Sequence, residues 1–335
     1  MTKQTVLTGI TTTGIPHLGN YAGAIKPAIE ASKNTDVNSF FFLADYHALI
    51  KCQDPKRIAE SSKAIAATWL ALGLDTDNVT FYRQSDIPEI PQLSWVLTCN
   101  AAKGLMNRAH AYKAAVQDNL DGGEQDGDKG INMGLFSYPI LMAADMLMFN
   151  ANQVPVGKDQ IQHIEMARDI AGRFNHHFGD TFALPQAVID DSSMILPGLD
   201  GRKMSKSYDN TIPLFETEKK LKKAINKIVT NSLEPGEPKD FNDSAVFDIY
   251  SAFASESDIE SMKQKFVEGI GWGNAKKELF ELINEELSGP REEYNRLMQD
   301  SAYLESVLQK GAEKARAVSG PFMSDIRKKL GMGIL

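Results

Sequence analysis

The chain of 335 residues is poor in cysteine, with only Cys52 and Cys99. Two thiols cannot build a disulfide framework or a four-thiolate metal site, so we expect a reducing, cytoplasmic compartment. The chain also lacks any apolar run of about 18 residues, the minimum for a spanning helix. Its N-terminus has no basic segment followed by a long apolar one. We therefore expect neither a membrane partner nor a secretory signal.

An excess of positive charge is absent too, since the net charge is −8. A protein that binds nucleic acid over its whole surface is usually basic, so such contact here must come from a local patch. The window 202–227 is a candidate, because it holds eight basic and three acidic residues. Taken alone, such a window is more typical of a solvated helix face.

The familiar phosphate-binding motifs are missing. The sequence has no G-x-x-x-x-G-K-[ST], and no G-x-G-x-x-G follows the first predicted strand. These absences exclude a P-loop and the usual dinucleotide fingerprint.

Strand-like and helix-like segments alternate in the first half of the chain. Apolar, β-branched runs predict strands at 5–10, 38–44 and 78–83, and helical spacing predicts helices at 20–33 and 55–73. Alternation at this spacing is typical of βαβ units, so we predict an α/β fold with a parallel sheet.

After about residue 214 the strand signal fades and helical patterns follow one another. We predict breaks between these helices at Pro and Gly, including Ser288-Gly289-Pro290. Residues 118–130 contain four glycines and five acidic residues, which predicts a flexible surface loop. The chain is therefore divided into an α/β part, 1–212, and an α-helical part, 213–335.

The first strand leads into a turn rich in threonine and glycine, followed by His17-Leu18-Gly19-Asn20 at the start of a helix. A helix N-terminus presents free N–H groups and a positive dipole end, which suits phosphate. Gly19 would let a flat base approach the backbone. An incidental histidine beside a strand–turn–helix explains this tetrapeptide equally well.

A second motif, Lys203-Met204-Ser205-Lys206-Ser207, changes that balance. Two lysines three residues apart, with small serines between, can place two ammonium groups on a polyphosphate. With the 17–20 turn, this 203–207 loop resembles the paired signatures of class I aminoacyl-tRNA synthetases. The resemblance implies a Rossmann-like nucleotide domain. It also implies that Lys203, Ser205, Lys206, His17 and Asn20 assist catalysis.

Longer segments resemble one branch, the bacterial tryptophanyl-tRNA synthetases. They are 44–48, 138–145, 154–165 and 311–315, and the resemblance covers nearly the whole chain. It implies L-tryptophan, ATP with Mg²⁺ and tRNA(Trp) as partners, a homodimer, and an anticodon-binding role for the helical part. No resident metal ligand is predicted.

The same resemblance implies the ATP-binding residues. They are Thr11, Thr12, Thr13, Gly19, Asn20, Gly157, Lys158, Asp159, Ile195, Lys203, Met204, Ser205, Lys206 and Ser207. The chain departs from the branch at Thr11-Thr12-Thr13, where Gln-Pro-Ser is commoner, and at Lys158, where Glu is commoner.

Tyr138, Met142 and Asp145 are spaced to share one helix face. A carboxylate on so apolar a face is costly unless a donor meets it, and indole offers one N–H. The alternative is a core stripe with one capping carboxylate. By resemblance, Asp145 reads the indole N–H, Met142 and Val156 pack the rings, and Tyr138 and Gln160 hold the α-amino group. His47 and Leu7 lie near the pocket.

The predicted reaction is attack of the tryptophan carboxylate on the α-phosphorus of ATP, followed by acyl transfer to tRNA. Three alternatives remain open at this stage: a tyrosyl-tRNA synthetase, a paralogue that binds without ligating, and a small nucleotidylyltransferase. Leu7, where a second polar group would serve a phenol, argues against the first. The intact 203–207 loop argues against the second, and the helical part against the third.

Overall fold

The computed structural model describes residues 3–12, 14–157, 160–189 and 195–333. Its centre is a sheet of five parallel strands in the order β3-β2-β1-β4-β5. The predicted parallel sheet is confirmed, and the predicted strands at 5–10, 38–44 and 78–83 correspond to β1, β2 and β3. The strands are β1 Gln4–Thr11, β2 Val37–Ala44, β3 Thr80–Arg83, β4 Gln153–Pro155 and β5 Gln186–Val188.

Helices surround the sheet in the first part of the chain. A π-helical turn, Tyr21–Ile25, links α1 to α2, so the predicted helix at 20–33 is one continuous helical segment with a locally wider turn. The bounds are α1 Leu18–Asn20, α2 Lys26–Ser32, α3 Asp45–Ala48, α4 Pro55–Ala71, α5 Glu89–Asn100, α6 Lys103–Met106, α7 His110–Asp121, α8 Met133–Met148 and α9 Ile161–Phe178.

The second part is helical, as predicted, with α10 Glu218–Asn226, α11 Ala245–Ser251, α12 Glu256–Val267, α13 Trp272–Gln299 and α14 Ser301–Lys329. The predicted break at Ser288-Gly289-Pro290 is wrong, because α13 continues through Pro290. Leu287 and Leu297 on either side are buried. Their packing offsets the roughly 3 kcal/mol that an internal proline costs a helix. Within the described ranges, no helix is long and apolar enough to cross a membrane.

The predicted loop at 118–130 begins later than expected, because α7 extends to Asp121. The Asn119 side chain donates to the carbonyl oxygens of Gly127 and Lys129, and the Tyr112 hydroxyl donates to Asp128. These bonds close the acidic segment into a compact turn against α7.

The last helix returns to the sheet. At Gly311 the backbone of α14 meets the edge strand β3 so closely that an added Cβ would lie 1.7 Å from the Phe81 carbonyl oxygen. The glycine therefore allows α14 to cover an edge that would otherwise expose unpaired backbone groups. Core residues of α14, such as Ala315 and Ile326, share a hydrophobic cluster with α5, α8 and α9.

Candidate active site

The candidate site lies at the carboxyl ends of the strands. β1 has β2 on one side and β4 on the other, so the strand order reverses there. In open α/β sheets, ligands bind in the crevice at such a reversal. β1 ends at Thr11, β2 leads into α3 with His47, and β4 leads into Val156. The fold thus places residues predicted for ATP and for tryptophan at one edge of the sheet.

His17 caps α1. Its Nδ1 accepts from the Asn20 backbone N–H at 3.3 Å, and Asn20 Oδ1 accepts from the His17 backbone N–H at 3.1 Å. Burial, and then the charge of Lys206, lower the pKa of His17 to about 4. The ring is therefore neutral at pH 7. Because Nδ1 accepts, the remaining proton lies on Nε2, as a donor for a ligand.

The two sequence motifs meet in space. The Gly19 backbone N–H points at Met204 Sδ at 3.4 Å, and Met204 is buried. A Cβ on Gly14 would lie 2.9 Å from Lys206 Nζ, and one on Gly19 would lie 3.2 Å from the His17 ring. Gly14 and Gly19 therefore lie close against these side chains. The structure therefore places Met204 and Lys206 of the 203–207 loop beside the 17–20 turn.

Lys203 and Lys206 are both exposed. Part of the Lys206 side chain is nevertheless shielded from water, and this desolvation, followed by the charge of the Arg57 guanidinium, lowers the pKa of Lys206. Arg57 lies in the first turn of α4, and sequence reasoning missed it because no motif links it to the loop. A further cation near Lys206 adds to the attraction for a polyphosphate.

Asn210, also missed, holds the 203–207 loop in shape. It is 2% exposed. Its Oδ1 accepts from the Ser205 backbone N–H at 2.8 Å, and its Nδ2 donates to Lys203 O at 3.1 Å and to Asp200 Oδ1 at 2.7 Å. The sequence shows only an asparagine three residues after the motif. Its importance comes from its burial, which a sequence does not show.

Asp145 is 1% exposed and forms the centre of a second cluster. His47 Nε2 lies 2.9 Å from its Oδ2, and Gln84 Nε2 lies 2.8 Å from Oδ1 and 2.9 Å from Oδ2. Burial raises the pKa of the Asp145 carboxyl, while the hydrogen bonds from His47 and Gln84 oppose that rise. The carboxylate thus has donors from the protein itself, and Gln84 was not predicted from sequence.

The other residues predicted to bind tryptophan differ in burial. Leu7 is buried, Met142 and Val156 are partly buried, and all three belong to one hydrophobic cluster with α8. The Tyr138 hydroxyl lies 3.1 Å from His163 Nε2. Gln160 is exposed where α9 begins.

The residues predicted to bind ATP differ in their exposure to solvent. Thr12 is buried at the end of β1, and its hydroxyl has no hydrogen-bond partner within the described residues. Thr11, Gly157 and Ser207 are exposed, and Ile195 is 71% exposed. Thr13, Lys158 and Asp159 lie outside the described residues.

Comparison with known proteins supplies the family. Residues 2–288 match the model of the class I tRNA synthetases for W and Y. The chain is 59% identical over 332 residues to a tryptophan–tRNA ligase of Neisseria meningitidis, covering 99% of both chains. It is 62% identical over 330 residues to that of Pseudomonas putida, covering 98% of this chain and 73% of the relative.

A solved structure agrees with these relatives. The tryptophanyl-tRNA synthetase of Campylobacter jejuni, complexed with ADP and tryptophan, is 41% identical. It superposes with a TM-score of 0.90 over 98% of this chain and 100% of the other. The family model alone covers both tryptophan and tyrosine enzymes, but the relatives are tryptophan–tRNA ligases. The chain therefore belongs to the class I tRNA synthetase family, in its tryptophan–tRNA ligase branch.

Proposed function

We propose that this chain activates L-tryptophan with ATP and transfers the aminoacyl group to tRNA(Trp), the reaction of its branch. The observation that carries the proposal is the convergence of the 17–20 turn and the 203–207 loop at the reversal of strand order. The same edge of the sheet holds a buried carboxylate, Asp145, suited to an indole N–H. Because the tryptophan carboxylate itself is the nucleophile in this reaction, no covalent intermediate with the enzyme is required.

In the first step the tryptophan carboxylate attacks the α-phosphorus and pyrophosphate leaves. Lys203 and Lys206 stabilise charge on the leaving group, and neutral His17 donates from Nε2 to a phosphate oxygen. Asn20 and Ser205 assist in binding the phosphates. Catalysis consists of positioning and charge stabilisation, as in phosphoryl transfer generally. No side chain is assigned as a general base.

ATP binds along the end of β1 and the start of α1. Gly19 keeps the nucleotide-binding assignment that family resemblance gives it, and the hydroxyl of Thr12 supplies a polar group in that crevice. Mg²⁺ enters with the nucleotide, as the MgATP substrate. Residues assigned to nucleotide binding by family resemblance keep that assignment here: Thr11, Thr13, Gly157, Lys158, Asp159, Ile195, Met204 and Ser207.

Tryptophan binds over α8. Asp145 accepts the indole N–H, while Met142, Val156 and Leu7 supply the apolar wall. Tyr138 and Gln160 hold the α-amino group. His47 supports the carboxylate of Asp145 from α3.

The helical part, 213–335, binds tRNA in the second step, and a ribose hydroxyl of the tRNA attacks the acyl carbon. Support comes from α10, which buries Leu221 and Ile225 and exposes Lys219, Lys220, Lys222 and Lys223 to solvent. Phosphate contacts require exposed cations of this kind. Charging of tRNA also agrees with the cytoplasmic location predicted from the low cysteine content.

The chain works as a homodimer in this proposal. Trp95 on α5 is 69% exposed and Met133 on α8 is 71% exposed. Their neighbours in sequence, Ser94 and Asn132, border a cavity of about 470 Å³. Apolar side chains exposed to this extent are typical of protein–protein contact surfaces. Sedimentation at micromolar concentration tests this point.

The whole proposal is tested by pyrophosphate exchange with tryptophan and tyrosine side by side. We expect exchange with tryptophan to be about 100-fold more efficient than with tyrosine, because a phenol ring is smaller than indole and leaves part of an apolar pocket unfilled, and such a size difference typically discriminates by about 10- to 200-fold. Preference for tyrosine would assign the chain to the other amino acid of the family. Absence of exchange with both would favour a paralogue that only binds.

A further inference from the structure

Gln84 is a fully buried amide at the end of β3, in a 3-10 turn that spans Gln84–Asp86. Its Oε1 accepts from the Tyr46 backbone N–H at 3.2 Å. Its Nε2 donates to both carboxylate oxygens of Asp145, at 2.8 and 2.9 Å. The two ends of the amide have different partners, so a flipped amide would lose all three contacts.

These contacts decide which lone pairs of Asp145 remain available. Within the described residues, Oδ2 accepts from both Gln84 and His47, whereas Oδ1 accepts from Gln84 alone. A carboxylate offers about four acceptor positions. The atom with the larger remaining capacity is therefore Oδ1.

We propose that Gln84 is a positioning residue for tryptophan selection, which holds the Asp145 carboxylate so that Oδ1 accepts the indole N–H. This inference rests on the proposed function. Gln84 acts through Asp145 and does not touch the substrate itself.

The energetic reason is the burial of Asp145. A buried carboxylate without donors is destabilised relative to its neutral form, and a neutral carboxyl presents one O–H donor of its own. The charged or titratable groups facing Asp145 are His47 and Asp45 on α3 and Tyr82 on β3. Asp45 and the Tyr82 ring do not donate to it in the structure, so Gln84 and His47 maintain the acceptor.

A role of Gln84 in tryptophan selection can be distinguished from a structural role, because the adjacent residue Ser85 links the same turn after β3 to α3. Ser85 donates to Asp45 from its backbone N–H at 3.0 Å and also from its hydroxyl. Ser85→Ala weakens this link between β3 and α3 without touching Asp145. It is therefore a control for general loosening of the turn.

The experiment measures kcat/KM for pyrophosphate exchange with tryptophan and with the analogue whose indole nitrogen is replaced by sulfur. Gln84→Met keeps the volume and removes the amide. We expect a loss of about 10- to 100-fold with tryptophan and less than 3-fold with the analogue. Ser85→Ala should affect both substrates equally. Gln264→Met, which removes an exposed amide–carboxylate bond to Glu268 on α12, should match wild type.

A double variant keeps the test valid if Gln84→Met alone fails to fold. Gln84→Met with Asp145→Leu removes both partners of the buried pair, which is far less costly than removing one. If Gln84 acts through Asp145, the double variant loses no more activity with tryptophan than Asp145→Leu alone. Additive losses, or equal losses of Gln84→Met with both substrates, would overturn the inference. Wild-type protein inactive with tryptophan would instead overturn the proposed function.

Discussion

The side of the site that we propose for the nucleotide has its charged groups in solvent, whereas the side that we propose for indole has its polar groups buried. Lys203 and Lys206 are exposed, while Asp145 and Gln84 are 1% and 0% exposed. A polyphosphate carries several negative charges, so exposed cations can attract it without the free-energy cost of burying a charge in the protein. An indole brings one weak donor, so its acceptor must be held in place by the protein.

The largest effect should come from the nucleotide side. Lys206→Ala removes the cation that we propose stabilises the leaving pyrophosphate, and loss of one such group typically costs about 10²- to 10³-fold in rate. Tryptophan binding should change less than 3-fold, because the lysine lies beside the 17–20 turn. Pyrophosphate exchange and equilibrium dialysis measure the two quantities.

Lys227→Ala, which removes a lysine at the end of α10, is the control and should leave exchange unchanged. Equal losses of exchange and of tryptophan binding in Lys206→Ala would show that the lysine supports the whole site. The contrast between the two sides would then disappear.

Asp145→Ala should produce the next largest effect, now on the indole side. It removes the acceptor and leaves donors on His47 and Gln84 buried without a partner, so we expect about a 30- to 1000-fold loss in kcat/KM with tryptophan. The sulfur analogue, which has no N–H, should lose far less. Similar losses with both substrates would make Asp145 a structural residue and reopen the tyrosine alternative.

The same contrast explains what could be predicted from sequence. The nucleotide side depends on contiguous motifs, and the strands β1, β2 and β3 on continuous apolar runs. By contrast, β4 and β5 have three residues each, too few for a period to show. Gln84 and Asn210 gain their importance from burial, which a sequence does not show. Gln84 also depends on a partner 61 residues away, Asp145. The internal proline of α13 was misread because packing, not local propensity, decides there.

The buried His17 makes the stability of the fold depend on pH. Its pKa falls from 6.5 to about 4 on folding, so the unfolded chain binds a proton between those values that the folded chain does not. The free energy of unfolding should therefore decrease as pH falls from 6.5 towards 4. His17→Asn keeps a side-chain acceptor at the N-cap and removes this titration.

At pH 5 the variant should lose about 2 kcal/mol less than wild type, relative to pH 7, in urea unfolding. His176→Asn changes an exposed histidine on α9 and is the control. Identical acid sensitivity of wild type and His17→Asn would show that the pKa of His17 in the folded state stays close to 6.5. His17 would then be charged at pH 5 in the folded protein as well.

The smallest effect should come from α10, where the cations lie in solvent. Lys220 pairs with Glu216 at 3.0 Å, and Lys222 lies 5.5 Å from the Phe280 ring, but both lysines are exposed to solvent. Changing Lys219, Lys220, Lys222 and Lys223 together to Gln should lower kcat/KM for tRNA charging about 10-fold. The salt dependence of charging should also flatten, because fewer counterions are released from the tRNA.

Pyrophosphate exchange, which needs no tRNA, should stay within 2-fold of wild type. The matched control changes four exposed lysines outside the helical part, Lys3, Lys33, Lys51 and Lys129, to Gln. This control removes the same charge, so it separates a local contact from the field of the whole protein. If both quadruple variants lowered charging alike, net charge would explain the effect and α10 would have no specific role. If the α10 variant lowered exchange as much as charging, the helix would support the 203–207 loop rather than bind tRNA.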